Sequence, residues 1–127
     1  MDKMILLLLP LLATVESGGD PNAVGDGGAA RGLYQIHRGY WSDGCRELKV
    51  QWPYRDAVRP DRARQVVIGY LKRYGRHYEK STGRKATLET LGRIHNGGPT
   101  GWKKKSTRKY WQKIKKYLKN EYPSGFV

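Results

Sequence analysis

A chain of 127 residues has room for one domain with one modest core, and nine tyrosines and four tryptophans suit a folded chain rather than a disordered one. Twenty-five Lys plus Arg against 11 Asp plus Glu give a formal net charge of +14, which draws the chain to polyanions whatever its fold: nucleic acid, anionic membrane or anionic cell wall. The single cysteine, Cys45, excludes an internal disulfide, so stability must come from packing, and a buried structural thiol is expected there.

At the N-terminus, Lys3, the apolar stretch from Met4 to Ala13 and a cleavage point at Ala13 have the form of a secretory signal, with Asp2 offsetting the charge of Lys3. The stretch is well short of the roughly 20 residues of a membrane span, and Pro10 interrupts it, which argues against a transmembrane anchor. The same residues can instead form a helix that ends at Glu16, and cleavage after Ala13 would then remove the element that holds this acid. From Ser17 to Arg31 the glycines, with Asp20, Pro21, Asn22 and Asp26, read as a structured loop. Residues 32–41, GLYQIHRGYW, suggest a short strand leading into a helical turn. Between Ser42 and Pro60 a second irregular connection is expected, with one helical turn around Cys45 to Leu48.

The second half is more regular. With Asp61 as N-cap, Val66, Val67, Tyr70, Leu71, Tyr74 and Tyr78 recur at helical spacing. Thr87 caps a shorter helix carrying Leu88, Leu91, Ile94 and His95 on one side, which should stop at Asn96-Gly97-Gly98-Pro99. Residues 103–119 hold nine basic residues and no acidic one, around an apolar stripe of Tyr110, Trp111, Ile114, Tyr117 and Leu118. The stripe faces the core, so the basic face offers no platform for base stacking and no specific nucleic acid is expected. That face is either simply solvated or an attraction for anionic wall polymers.

Cleaving a glycosidic bond needs a carboxyl that stays protonated near neutral pH, which burial against apolar groups achieves by penalising the charged form. Leu11, Leu12 and Val15 offer Glu16 such a place if the first helix exists. Asp26, in a polar loop ten residues on, is suited to remain ionised, and Asp20 is the runner-up for this second carboxylate, although an Asx turn explains it better.

Glu16-Ser17-Gly18, Asn22-Ala23-Val24-Gly25-Asp26 and Gly32-Leu33-Tyr34-Gln35-Ile36 resemble the core of the lysozyme and lytic transglycosylase superfamily. Tyr40-Trp41-Ser42-Asp43, Tyr70-Leu71-x-Arg73-Tyr74, Arg93 to Pro99 and Tyr110-Trp111, in that order, resemble the invertebrate-type, or destabilase-like, lysozymes. The match runs from about Val15 to Ile114. It implies an α+β fold of one domain, mainly helical, with a small β region near residues 24–37 and a cleft between lobes. The helical half should bury Val66, Tyr70, Leu71, Leu91, Ile94 and Ile114.

The resemblance further implies a muramidase with Glu16 as general acid and Asp26 as nucleophile or ionic stabiliser. Tyr34, Gln35, Tyr40, His95, Asn96, Gly97 and Gly98 would line the sugar cleft, since N-acetylated sugars require amide hydrogen bonds and flat apolar platforms. Two other functions compete: a lytic transglycosylase, which needs only the glutamate and closes an anhydro sugar, and a non-catalytic cationic wall-binding protein. Peptidoglycan and anionic wall polymers are the expected partners. No cofactor or metal is expected, because His37, His77 and His95 are dispersed, and neither is an oligomer.

Two departures from the family stand out. Its animal members are rich in disulfides, whereas a single cysteine fits a microbial or viral relative, or folding in a reducing compartment. The stretch Ala29-Ala30-Arg31-Gly32 lacks the serines credited with isopeptidase activity in some members, so that activity is not expected. Secretion or export is expected, with a cytoplasmic pool left open by the single cysteine and the helix-like N-terminus.

Overall fold

The apolar N-terminal run forms a helix, α1 (Asp2–Ser17), in the computed structural model, which describes residues 1–124. Pro10 lies on the exposed side of α1 and does not end it, and the Thr14 hydroxyl donates to the Pro10 carbonyl at 3.0 Å. Ile5, Leu8, Leu9, Leu11 and Leu12 are buried, so this segment supplies core to the rest of the fold. The helix stops at Gly18, whose φ of 65° lets its N–H return to the Thr14 carbonyl at 3.0 Å. That stop leaves Glu16 in the last turn.

The β region is a minimal hairpin of β1 (Val24–Gly25) and β2 (Ala30–Arg31), antiparallel with Val24 opposite Arg31 and Gly25 opposite Ala30. A tight turn, Asp26–Gly28, joins the strands, and Arg31 bridges onward to Ile36. Gly32 anchors the base of the hairpin: its φ is 82°, and a Cβ there would run into the Ala57 carbonyl of the turn Tyr54–Val58.

Residues 38–48 form one continuous helix, α2 (Arg38–Leu48), rather than a strand end, a loop and a single turn. Its burial is what makes it regular. Trp41 and Cys45, one turn apart, both face inward, and the Trp41 indole donates to the Trp52 carbonyl at 2.8 Å. The Cys45 thiol lies against the same carbonyl, and burial pushes its pKa up, which keeps it unreactive. Helix α3 (Pro60–Thr82) starts with Pro60 at its first position and Arg59, not Asp61, as N-cap. Asp61 sits instead in the first turn, where the Arg62 backbone N–H holds its carboxyl below the usual range. Helices α2 and α3 cross closely at Gly44, where a Cβ would come within 2.6 Å of Val66.

Helix α4 (Leu88–Gly97) begins with a capping box between Thr87 and Thr90 and ends at Gly98, with φ 88°. The basic helix is shorter than its charge pattern suggests: α5 runs Arg108–Glu121, preceded by two tight turns, Gly101–Lys103 and Lys105–Thr107, with Lys104 extended between them. Tertiary hydrogen bonds hold them out of the helix. Arg93 donates to the Thr107 hydroxyl at 2.8 Å and to the Lys104 carbonyl at 2.8 Å, while fully buried Thr107 donates to the Gly101 carbonyl at 2.7 Å. Tyr110 and Ile114 face the core, whereas Tyr117 is exposed, so the apolar stripe is narrower than its sequence pattern. Val66, Tyr70, Leu71, Leu91, Ile94 and Ile114 are all buried. A helical body around α1 and α3–α5, with the hairpin beside it, is the α+β arrangement expected of the sequence.

Candidate active site

The end of α1, the hairpin tip, the start of α2 and the end of α4 converge on a cleft of about 280 Å³ lined by Glu16, Asp26, Gln35, His37, Tyr40, His95 and Asn96. Glu16 lies on its floor with only 18% of its side chain exposed. The Tyr110 hydroxyl donates to Glu16 Oε2 at 2.8 Å, and His95 Nε2 stands 3.3 Å from the same oxygen. These polar and aromatic groups, not only Leu11, Leu12 and Val15, make the surroundings of Glu16, because Leu11 and Leu12 turn into the core. Among the described residues Oε1 has no hydrogen-bond partner.

His95 is almost fully buried and held at both ring nitrogens. Its Nε2–H donates to the Tyr34 carbonyl at 3.0 Å, and the Tyr40 hydroxyl donates to Nδ1 at 2.7 Å. A carbonyl can only accept, so the hydrogen sits on Nε2, the nitrogen that faces Glu16. The Tyr40 ring lies flat on Tyr70, with centroids 3.5 Å apart and planes within 8°, and meets His95 edge-on. Burial pushes the hydroxyls of Tyr40, Tyr70 and Tyr110 well above the ordinary tyrosine range, and the Glu16 charge adds to this for Tyr110. They therefore stay protonated as donors throughout the neutral range.

Asp26 occupies the hairpin tip with 68% of its side chain exposed, and its Oδ2 is 2.9 Å from His37 Nε2. Its φ of 49° is left-handed, as is that of Gln35 at 52°. Two non-glycine residues in this sparsely populated region within one cleft are local strain that the surrounding contacts must hold. The Gln35 amide does so for its own segment: Nε2 donates to the Ala23 carbonyl at 3.3 Å and the Gly32 carbonyl at 3.1 Å, while Oε1 occupies the space a Cβ on Gly25 would need. Gln35 thus ties the hairpin together where it meets the cleft.

Several sequence expectations are corrected. The Tyr34 ring is buried, 5% exposed, and forms no platform in the cleft; only its carbonyl serves the site, through His95. Gly97 and Gly98 do not line the cleft: Gly97 lets Thr107 pack against α4, and Gly98 ends the helix. Asp20 accepts from the Asn22 backbone N–H at 2.9 Å in an Asx turn outside the cleft lining. Conversely, His37 and Tyr110 belong to the site although neither is expected there from the sequence, where Tyr110 enters only through the Tyr110-Trp111 block and the apolar stripe. Alternation holds the signal for one of them: Tyr34 and Ile36 point inward, Gln35 and His37 outward. Tyr110 carries no such signal, because its helical period marks only a buried face. Among the described residues no cluster of His, Cys, Asp and Glu could hold a metal ion.

Similarity to known proteins extends over most of the chain. The destabilase family model matches residues 8–117. The lysozyme of Ostrea edulis is 38% identical over 89 residues, covering 66% of this chain and 57% of that protein. The chain thus spans a little over half the length of the first curated relatives it matches. The crystal structure of Tapes japonica lysozyme superposes with a TM-score of 0.69 at 30% identity over 85% of each chain. Meretrix lusoria lysozyme, crystallised in complex with Aeromonas hydrophila PliI, does so at 0.68 and 34% identity, again over 85% of each chain. A family match over most of the sequence, with the same fold in these relatives, means that the chain belongs to the destabilase family, alongside the invertebrate-type lysozymes.

Proposed function

We propose that this chain is a muramidase that hydrolyses the β-1,4 bond between N-acetylmuramic acid and N-acetylglucosamine in peptidoglycan. The observation that carries the reading is one cleft receiving a largely enclosed carboxyl from a helix end, Glu16, and an exposed carboxylate from a hairpin tip, Asp26. The lysozyme names of its relatives support the same substrate class.

In this mechanism Glu16 gives the proton on Oε1 to the leaving glycosidic oxygen, while Tyr110 holds Oε2 in place and His95 packs beside it. Asp26 stabilises the oxocarbenium-like state or attacks it, oriented by His37. Glu16, having lost its proton, then takes one from the water that completes hydrolysis. Asn96, exposed at the cleft, supplies an amide for the N-acetyl group, and Tyr40 a ring face. A second carboxylate in the cleft favours hydrolysis over the glutamate-only transglycosylase route.

The lysines and arginines from Lys103 to Lys119 are all exposed, and none pairs with a carboxylate among the described residues. This face brings the enzyme to anionic wall polymers, an attraction that weakens with salt. The substrate lies outside the bacterial membrane, so the proposed action takes place after export or release.

The test is mass analysis of fragments from purified peptidoglycan. Reducing-end products, lost by roughly 100-fold to 10,000-fold in rate in Glu16→Gln, are expected. Anhydro products would replace this reading with the transglycosylase. Wall killing that survives Glu16→Gln would replace it with a non-catalytic cationic protein.

A further inference from the structure

Beside the catalytic cleft, and sharing His37 with it, lies a larger cavity of about 720 Å³ lined by the hairpin (Gly28, Ala29, Arg31), the start of α2 (Arg38, Gly39) and the turn Tyr54–Val58. The proposed glycosidase chemistry does not use it. Its walls are basic through Arg31, Arg38 and Arg55, and among the described residues no carboxylate lies within ion-pair distance of these three guanidinium groups.

Two of the arginines are preorganised. Arg31 Nε donates to the Gly28 carbonyl at 3.0 Å, which fixes the plane of its guanidinium. Arg38 lies over the Tyr54 ring at 4.6 Å, and Tyr54 is itself anchored by its hydroxyl, which sits 2.6 Å from the Ile36 carbonyl. Arginines held flat without an internal anion suit bidentate capture of carboxylates. The N-terminus of α2 adds to this field, because no side chain caps it.

We propose that this cavity binds the carboxylate-bearing stem peptide of peptidoglycan while the glycan occupies the adjoining cleft. The proposal rests on the muramidase reading. In peptidoglycan the peptide branches from the muramic acid lactyl group, so a peptide-bearing sugar at the catalytic centre places its branch beside the glycan path. The lining is also mixed: Ala29, Tyr54 and Val58 give apolar walls for the alanine-rich part of such a peptide, between the arginines that take its carboxylates. A phosphate-rich wall polymer, long and uniformly charged, is better matched by the lysine face of α5 than by a concave, partly apolar cavity.

Glu16→Gln protein, which binds without turnover, is titrated calorimetrically with three probes: the disaccharide alone, the disaccharide carrying its stem peptide, and the same peptide with its carboxylates converted to amides. The free peptide carboxylates should tighten binding about tenfold over both other probes, and adding Arg38→Gln and Arg55→Gln should abolish that advantage while leaving disaccharide affinity unchanged. Near-ultraviolet circular dichroism checks that the fold is retained, and Arg38→Lys with Arg55→Lys should recover part of the advantage. Equal affinity for all three probes overturns the proposal, as does an arginine-dependent loss that is the same for the bare disaccharide, which would make the cavity part of the glycan path. Displacement of the peptide probe from the cavity by poly(glycerol phosphate) that itself binds more tightly through Arg38 and Arg55 overturns it in favour of a phosphate polymer. Wild-type protein that releases no reducing ends from peptidoglycan, yet shows the arginine-dependent preference, would sink the muramidase reading alone.

Discussion

The Tyr110 hydroxyl donates to Glu16 Oε2 at 2.8 Å, joining residues 94 positions apart. The last helix thus fixes the carboxyl carried by the first. Tyr110→Phe removes this donor while keeping the ring in the core. Turnover should fall roughly 10-fold to 100-fold, because the acid is no longer aimed at the glycosidic oxygen. Thermal unfolding should show a loss of about 1–3 kcal/mol. An unchanged kcat would mean that the bond is structural only.

Asp26 and His37 form a pair at the mouth of the cleft, 2.9 Å apart. Asp26→Asn should lower the rate by orders of magnitude without unfolding the protein, since the amide cannot stabilise positive charge or attack the anomeric carbon. His37→Gln keeps a donor of similar reach and should cost far less. If steady-state rates on peptidoglycan show Asp26→Asn nearly fully active, the second carboxylate plays no part in the chemistry.

Alkaline pH probes the buried tyrosines. The folded state holds the hydroxyls of Tyr40, Tyr70 and Tyr110 protonated beyond the ordinary range, while the unfolded chain releases these protons near pH 10. The unfolded state therefore binds fewer protons above about pH 10, and stability, fully present below that pH, falls as pH rises further. Ultraviolet titration should show exposed tyrosines ionising first and the buried ones only together with cooperative unfolding. A single smooth phenolate transition in a chain that stays folded would contradict this.

Leu12 is fully buried one turn before Glu16. Leu12→Ala should destabilise by about 2–5 kcal/mol through the lost transfer energy and the cavity left behind. The activity of the molecules that remain folded should hold within a few-fold, as measured by denaturant unfolding alongside kinetics below the transition.

Local chemistry along the chain carries much of this molecule. Gly18 after an apolar run is enough to end α1 just past Glu16, Thr87 enough to start α4, and Asn96-Gly97-Gly98-Pro99 enough to stop it, because caps and turns depend on backbone conformations only a few residues long. Helical spacing likewise marks Val66, Leu71, Leu91 and Ile114 as core.

Contacts between distant segments decide the rest. Burial of Trp41 and Cys45 makes one helix of residues 38–48, where prolines and charges nearby suggest a loop, and the Arg93–Thr107 network keeps residues 103–107 out of α5. The same holds at the site. Spacing marks Tyr34 and Tyr110 alike as aromatic and cannot distinguish a ring lost to the core from a hydroxyl aimed at Glu16, because periodicity specifies which face is buried but not which neighbour meets it. That neighbour is set only when α5 packs against α1 and closes a 94-residue separation, a pairing that no local preference encodes.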